Sequence, residues 1–560
     1  MVAFARVALN LPVAGEFTYL VPERLARELE PGCRVRVPFH GRRMAGIVVS
    51  LDRETDVAPN RLKEIDSRIA GIPALPPGLV EFTRELARAY ACSWGTALEA
   101  ALPGTLKRGP SRTLPAVELA LDEGRIREAC LELEDRAPKR ARVLRVLLEL
   151  GSPLQLGVLL RRTGLSRSPV ATLVKSGHLR WTRVEMQDDL FRNLRLEVAP
   201  RHELVPAQRQ AVESVVRCLH SGRHETFLLH GVTGSGKTEV YLRVLEELRS
   251  LGRSAIILVP EISLTPQTVG RFLSRFPDVA VLHSSLTDAT RARQWLRIAR
   301  GEAKVVAGAR SALFAPCREL GLIIVDEEHE SSFKQQQSPR YHAREMAVLR
   351  GRIENAAVVL GSATPSLEAW SRSRSGEYTL LRLPERVGGG SLPRVQIVDM
   401  RHEAPVRGKP PLISRRLEIL MQEKARAGEQ FMLFLNRRGY SPVLFCPACG
   451  ETIKCAACEI PMTWHAQSGR LICHYCMADR RRPELCPGCE ASAPIALGAG
   501  TERIEHWIKR SFPELVVARM DSDTMVKRDS YEKVLTAFRR RDIDVLVGTQ
   551  RIAKGHDFPD

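Results

Sequence analysis

The chain has 560 residues, 44% hydrophobic and 27% charged, the balance of a folded multidomain protein rather than a disordered one. Lys plus Arg number 84 against 65 Asp plus Glu, a net charge of +19 that points to a polyanionic partner such as a nucleic acid. No apolar run approaches the ~20 residues of a membrane span, so a soluble protein without a membrane partner is expected.

In chain order, residues 1–110 form the first expected domain. Short β-like runs at 5–9, 17–20, 34–38 and 46–50 are separated by turns at Pro31-Gly32 and His40-Gly41, and helical periodicity follows over 78–91. The first ten residues lack a basic start and continue the alternation, so they read as a strand rather than a signal peptide, which places the chain in the cytosol. A second domain is expected over 111–198, with residues 107–137 as a proline-marked linker. Three short helices within 138–176 and a strand at 178–184 then fit a winged helix.

From about residue 199 the texture becomes β–α–β, with buried strands expected at 226–230, 255–259, 279–282, 305–307, 322–325 and 357–360. That alternation argues a doubly wound parallel sheet, a first RecA-like lobe over 199–385. A second, incomplete lobe is expected over 386–560, with strands at 431–435, 515–519 and 544–547. It is interrupted by an insertion at 445–492, and Gly388-Gly389-Gly390 reads as a hinge.

Gly231-Val-Thr-Gly-Ser-Gly-Lys237-Thr238 follows the 226–230 strand and opens a helix, the context a phosphate-binding loop requires. Backbone N–H groups around Gly231, Gly234, Ser235 and Gly236 can cradle phosphates at the helix N-terminus, with Lys237 on the β/γ-phosphates and Thr238 on Mg²⁺. Downstream, an apolar strand ends in Asp326-Glu327-Glu328-His329, which suits Asp326 to Mg²⁺ and Glu327 to polarising water. Together these predict an ATPase.

Eight of the 13 cysteines form four Cys-x-x-Cys pairs: Cys446/Cys449, Cys455/Cys458, Cys473/Cys476 and Cys486/Cys489. Two pairs complete one tetrahedral Cys₄ zinc, so two structural Zn²⁺ are expected, and three pairings are possible. The inner pairs enclose 14 residues, near the spacing of a zinc ribbon, which favours a nested arrangement. Trp464, His465, His474 and Tyr475 are expected to decorate the ribbon, the two histidines being surplus to the ligand count.

Ser362-Ala-Thr364 sits where motif III of superfamily 2 helicases lies, Pro260-Glu261-Ile-Ser-Leu-Thr-Pro-Gln267 where motif Ia lies, and Gly548-Thr549-Gln550-Arg551-Ile-Ala-Lys554-Gly555-His556-Asp557 looks like motif V. With the extended phosphate-loop signature, Asp326-Glu-Glu-His329, Lys334-Gln-Gln-Gln-Ser-Pro-Arg-Tyr-His-Ala-Arg-Glu345, Phe434-Leu-Asn-Arg-Arg-Gly-Tyr440 and the cysteine block, the chain resembles the PriA family of primosomal replication-restart helicases throughout its length.

That resemblance implies an ATP-dependent 3′→5′ DNA helicase that recognises stalled or abandoned forks and promotes reloading of the replicative helicase. Gln208 would read adenine ahead of the phosphate loop. An aromatic-rich loop at 333–344 would meet single-stranded DNA through Phe333, Lys334, Arg340, Tyr341 and His342; the alternative is that its rings pack inside the lobe. Phe17, Thr18, Gly41 and Lys63 would line a pocket for the 3′ end of a nascent leading strand, Thr18 standing where relatives carry Asp. The nested pairing would put Cys446, Cys449, Cys486 and Cys489 on one zinc and Cys455, Cys458, Cys473 and Cys476 on the other.

The implied partners are forked and single-stranded DNA, the replicative helicase and its loader, accessory primosome proteins and single-stranded-DNA-binding protein. A bacterial, nucleoid-associated monomer is implied. The sequence stops just past motif V, so it is expected to be a piece lacking motif VI, which binds ATP and DNA but turns over poorly. A non-enzymatic fork-binding platform is the alternative; the intact Lys237, Thr238, Asp326 and Glu327 argue against it.

Overall fold

The computed structural model describes residues 4–13, 15–108, 113–185, 201–260, 270, 272–276, 278–283, 286–389, 393–404, 411–435, 443–446, 448–465, 468–497, 501–520, 530–549 and 552. They fall into two compact units, Met1–Ser391 and Leu392–Asp560. Residues 261–267 of the motif Ia stretch, 436–440, and 550, 551 and 553–557 of the motif V stretch lie outside the described residues.

The first unit opens with a five-stranded antiparallel sheet in the spatial order Phe17–Leu20, Phe4–Leu9, Arg42–Asp52, Arg34–Phe39, Ser67–Arg68. Its two edges meet through residues 63–66: Leu20 N–H donates to the Lys63 carbonyl at 2.8 Å and Asp66 N–H to the Arg36 carbonyl at 2.9 Å. Curling in this way satisfies edge backbone groups and encloses Val7, Tyr19, Val35, Val48 and Ile65. His40 and Gly41, at φ 44° and 75°, supply the two positive-φ residues of the hairpin turn between Arg34–Phe39 and Arg42–Asp52.

The stretch 107–137 is a correction to the expected linker. Thr113–Leu119 is a strand and Glu123–Arg136 a helix, and both belong to the following small domain. The strand pairs with Leu154–Gln155 on one side and Leu179–Glu185 on the other. Pro115 is tolerated because the two-residue strand pairs only with Ala116 and Val117, leaving one side of Pro115 open. Helices Glu123–Arg136, Pro138–Leu150, Leu156–Thr163 and Arg167–Lys175 close a core of Val117, Ile126, Leu144, Leu147, Val170 and Leu173 over that sheet.

The remainder of the unit is a seven-stranded, wholly parallel sheet in the order Val279–Leu282, Val305–Gly308, Ser254–Leu258, Leu320–Asp326, Ala357–Ser362, Thr226–Gly231, Thr379–Leu383. Its central strands are buried on both faces, which is why they read as continuous apolar runs. Each fully buried Ile or Val there is worth about 1.5–3 kcal/mol over exposure. The edge strand Thr379–Leu383 was not foreseen, because its apolar residues are interrupted and only Leu381 and Leu383 are buried.

The N-terminal helix Pro77–Ala89 shares one core with this sheet's helices: Phe82 meets Phe314 at 5.7 Å between ring centroids. The Trp295 indole N–H also donates to the Ala101 carbonyl at 2.7 Å.

The second unit has a three-stranded parallel sheet, ordered Phe431–Phe434, Val545–Gly548, Val517–Met520. A separate five-stranded antiparallel sheet runs Asp479–Arg481, Arg470–Ile472, Thr463–His465, Val443–Phe445, Ile495–Leu497. Among the described residues no helix is long and apolar enough to cross a membrane.

Candidate functional site

In a parallel sheet, loops at the carboxyl ends of the strands collect the chemistry. The strand Thr226–Gly231 runs into the helix Lys237–Ser250 through a loop in which Gly234 and Gly236 both stand at φ 80°. A side chain at Gly236 would run into the Gln208 carboxamide, so glycine is required there by space as well as by dihedral. The Lys237 ammonium donates to the Gly231 carbonyl at 2.9 Å, folding the side chain back over the loop. Ser235 is 2% exposed, and its Oγ has no hydrogen-bond partner among the described residues.

An orphaned buried hydroxyl, a cation resting on a backbone carbonyl and a loop opening a helix N-terminus fit a phosphate group, which would satisfy all three. Gln208 is also 2% exposed. Its Nε2 donates to the Ser235 carbonyl at 2.9 Å, and its Oε1 accepts from Val205 N–H at 3.1 Å. Gln208 therefore buttresses the loop.

Asp326 ends the strand Leu320–Asp326, two strands from the phosphate loop across Ala357–Ser362. Burial, and then the charge of Glu327, push its carboxyl up to about 6, against partial relief from Tyr241 and Lys237. The Tyr241 hydroxyl donates to Asp326 Oδ1 at 3.0 Å. Tyr241 lies one helical turn after Lys237, so the helix that presents the lysine also braces the acid. A Cβ on Gly361 would collide with the Tyr241 hydroxyl, so the neighbouring strand is shaped around this contact.

Glu327 takes a left-handed backbone, φ 48°, which turns the chain sharply off the strand. Glu328 is fully buried and accepts from Arg344 Nη1 at 3.0 Å, Ser366 N–H at 2.7 Å and Ser366 Oγ at 2.9 Å. His329 Nδ1 sits 2.8 Å from Ser362 Oγ, which accepts from Thr364 N–H at 2.9 Å. The acidic strand end, the 362–364 segment and the helix Ala343–Ile353 are thus locked together.

Arg344 lies inside the Lys334–Glu345 signature, and Tyr241 lies three residues beyond the phosphate loop's Thr238. Neither residue's partner could be read from spacing.

The 333–342 loop corrects one expectation. Phe333 and Tyr341 are 1% and 4% exposed, and Tyr341 packs against Phe314 with ring centroids 5.2 Å apart. Their faces belong to the core, so neither is available to stack on a passing base. His342 is partly buried; burial and then Arg344 hold its imidazole below the ordinary range. Lys334 is partly buried, and Arg340 is exposed beside Gln336 and Gln337 at the loop tip. The polar tip, not the rings, faces outward.

In the N-terminal barrel the Phe17 ring meets Phe39 at 4.8 Å, and Phe39 meets His40 at 4.6 Å, beside the Gly41 turn. Thr18 lies opposite Arg6 in register, and Lys63 is exposed, with its backbone carbonyl accepting from Leu20. Phe17 and Gly41 are thereby gathered at one rim, with Thr18 on the adjoining strand residue.

Two cysteine quartets assemble: Cys446, Cys449, Cys486 and Cys489, and Cys455, Cys458, Cys473 and Cys476. Within each, all Sγ atoms lie within 4.8 Å of one another. A tetrahedral zinc with ~2.3 Å bonds requires sulfurs about 3.8 Å apart. The sulfurs of Cys446 and Cys489 are 3.5 Å apart, those of Cys449 and Cys486 3.8 Å, and those of Cys455 and Cys476 3.6 Å. Both quartets fit a closed Cys₄ metal. His465 and His474 face one another, Nε2 to Nε2, at 3.3 Å.

Three family models match the chain: the 3′DNA-binding domain of PriA over residues 6–103, the DEAD/DEAH box helicase over 205–372, and the PriA DNA helicase Cys-rich region over 455–481. Among curated relatives, the replication restart protein PriA of Bacillus subtilis is 36% identical over 606 residues, covering 97% of this chain and 75% of that protein. PriA of Haemophilus influenzae is 36% identical over 569 residues, with 99% and 75% covered. PriA of Treponema pallidum is 45% identical over 353 residues, with 63% and 52% covered. With 36% identity sustained over three quarters of the Bacillus subtilis and Haemophilus influenzae proteins, this chain belongs to the PriA family of replication restart proteins, ATP-dependent DNA helicases.

Proposed function

We propose that this chain couples ATP hydrolysis to 3′→5′ movement on DNA at abandoned replication forks, and so promotes reloading of the replicative helicase. The observation that carries this reading is the phosphate loop with its orphaned Ser235 hydroxyl, two strands from the half-buried Asp326, in a chain whose N-terminal stretch matches a 3′DNA-binding domain.

In this reading Gly231, Gly234, Ser235 and Gly236 hold the phosphates and Lys237 leaves the Gly231 carbonyl to pair with them. Thr238 and Asp326 would hold Mg²⁺, which would supply charge neutralisation to the phosphates. Glu327 takes the proton of the attacking water, and Gln208 braces the loop and turns its remaining amide hydrogen to adenine.

Phe17, Thr18, Gly41 and Lys63 receive a leading-strand 3′ end, Thr18 through a neutral hydrogen bond. Lys334, Arg340 and His342 meet the single strand as backbone contacts. The small domain built on Thr113–Leu119 and its four helices serves as a winged helix on duplex DNA, and each cysteine quartet holds one structural Zn²⁺. Partners are the replicative helicase and its loader, accessory primosome proteins and single-stranded-DNA-binding protein, and the setting is the bacterial cytoplasm at the nucleoid, as a monomer.

The test is displacement of a labelled strand from duplexes bearing a 3′ or a 5′ single-stranded tail, in ATP and Mg²⁺. Displacement from the 3′-tailed duplex alone supports the reading. Equal displacement from both, or displacement without ATP, refutes it.

A further inference from the structure

We infer that Tyr90 is the positioning residue through which the N-terminal DNA-binding domain governs the loop beside the ATP site. It rests on the function proposed above and adds a connection between that site and the 3′-end domain. Tyr90 belongs to the stretch matched by the 3′DNA-binding domain, whereas Lys334 and His342 belong to the helicase match.

Tyr90 closes the helix Pro77–Ala89, its N–H donating to the Leu86 carbonyl at 3.0 Å, and Ala91 at φ 46° then turns the chain away. The phenol is thereby presented to the base of the 333–342 loop. The backbone N–H of His342 donates to the Tyr90 hydroxyl at 2.9 Å, and the Lys334 ammonium lies 5.1 Å from the centre of the Tyr90 ring. Both ends of the loop are therefore held by one side chain from another domain.

The loop is stiff between those ends. Lys334 and His342 form an antiparallel bridge, and Gln335 N–H donates to the Tyr341 carbonyl at 2.9 Å. Arg310 Nη1 donates to the Ser332 and Lys334 carbonyls at 2.9 and 3.1 Å. A displacement at Tyr90 is thus passed to the exposed tip at Gln336, Gln337 and Arg340 rather than absorbed.

The same displacement reaches the ATP site. His342 is the N-cap position of the helix Ala343–Ile353, and Arg344, two residues on, bonds the buried Glu328 at 3.0 Å. Glu328 adjoins Glu327 and Asp326 in the chain. Tyr90 to His342 and Arg344 to Glu328 are two short contacts joined through the first residues of that helix, a path from the 3′-end domain to the acids in which Tyr90 is the one member outside the helicase match. A physical path becomes a coupling only when both ends bias it, and that is measurable as a reciprocal change in affinity.

The experiment measures affinity of the chain for a fluorescent non-hydrolysable ATP analogue with Mg²⁺. It is run without DNA, with a fork carrying a leading-strand 3′-OH at the branch, and with the same fork lacking that strand. For the wild-type sequence the 3′ end should tighten the analogue at least about fivefold. Tyr90→Phe keeps the ring and deletes the hydroxyl. It should reduce that ratio below about twofold while leaving DNA-free nucleotide affinity and fork affinity within about twofold of wild type. Hydrogen exchange at the His342 amide should rise in the same variant.

An unchanged ratio in Tyr90→Phe overturns the inference. So does an equal loss of nucleotide affinity with and without DNA, which marks a merely structural role, or a loss of fork affinity, which makes Tyr90 a DNA contact. A wild-type chain that shows no effect of the 3′ end refutes the 3′-end reading and this inference with it. A wild-type effect that survives Tyr90→Phe refutes this inference alone.

Discussion

Replacing Arg344 by Met removes the only cation that hydrogen-bonds Glu328 among the described contacts and keeps much of the side-chain volume. Glu328 is fully buried, and without the guanidinium it retains only the two neutral donors of Ser366. Stranding a buried carboxylate in this way costs about 3–5 kcal/mol. At roughly 2–4 °C per kcal/mol for a domain of this kind, the unfolding transition of the first unit should fall by roughly 6–20 °C.

Glu328→Gln, which keeps hydrogen bonding without charge, should cost less than Arg344→Met. The double variant should be more stable than the two single losses sum to, by about 0.5–3 kcal/mol. Calorimetry on the four proteins measures this cycle. A loss below about 1 kcal/mol in Arg344→Met, or strictly additive losses, refutes the claim that this pair holds the acidic strand end in place.

Gly361→Ala should destabilise the first unit by about 1–3 kcal/mol, because its Cβ meets the Tyr241 hydroxyl; adding Tyr241→Phe should restore part of the loss in urea unfolding, and no restoration contradicts the contact. In metal-free buffer, the Asp326 carboxyl, at about 6 when folded against its ordinary 3.8, binds its proton more tightly in the folded chain. Its contribution to stability is therefore fully present below about pH 4 and is lost as pH rises through about 6, roughly 3 kcal/mol in all. Asp326→Asn should lack that decline in denaturant titrations at pH 4.5 and 7, and an unchanged difference between the two pH values argues against it. Elemental analysis should find two zincs per chain, and Cys455→Ser or Cys446→Ser should each lose about one; loss of both from either variant would contradict independent quartets.

How much of this was legible in the sequence depended on whether a local signal matched the tertiary environment. The strand Leu320–Asp326 is buried on both faces, so its apolar run announced it, and the phosphate loop announced itself through glycines that only a strand–turn–helix can use. The strand Thr113–Leu119 and the helix Glu123–Arg136 were hidden. A proline interrupts the first, and the second buries only Ile126 and Cys130 among many charges.

The 333–342 loop has no periodicity, so nothing local said that Phe333 and Tyr341 point inward against the Phe314 core while Arg340 points out. Likewise, Phe17 meets Phe39 because the sheet curls, and Tyr90 meets His342 because a helix from another domain packs across 252 residues of chain. Such pairings depend on topology, which one sequence does not print.

The most direct test of the account is ATP turnover by this chain with and without a fork bearing a leading-strand 3′ end, alongside Lys237→Ala. The account predicts that the fork raises turnover in the wild-type sequence and that Lys237→Ala abolishes the response while still binding the fork. Turnover that ignores the fork, or a fork response that survives in Lys237→Ala, would contradict it.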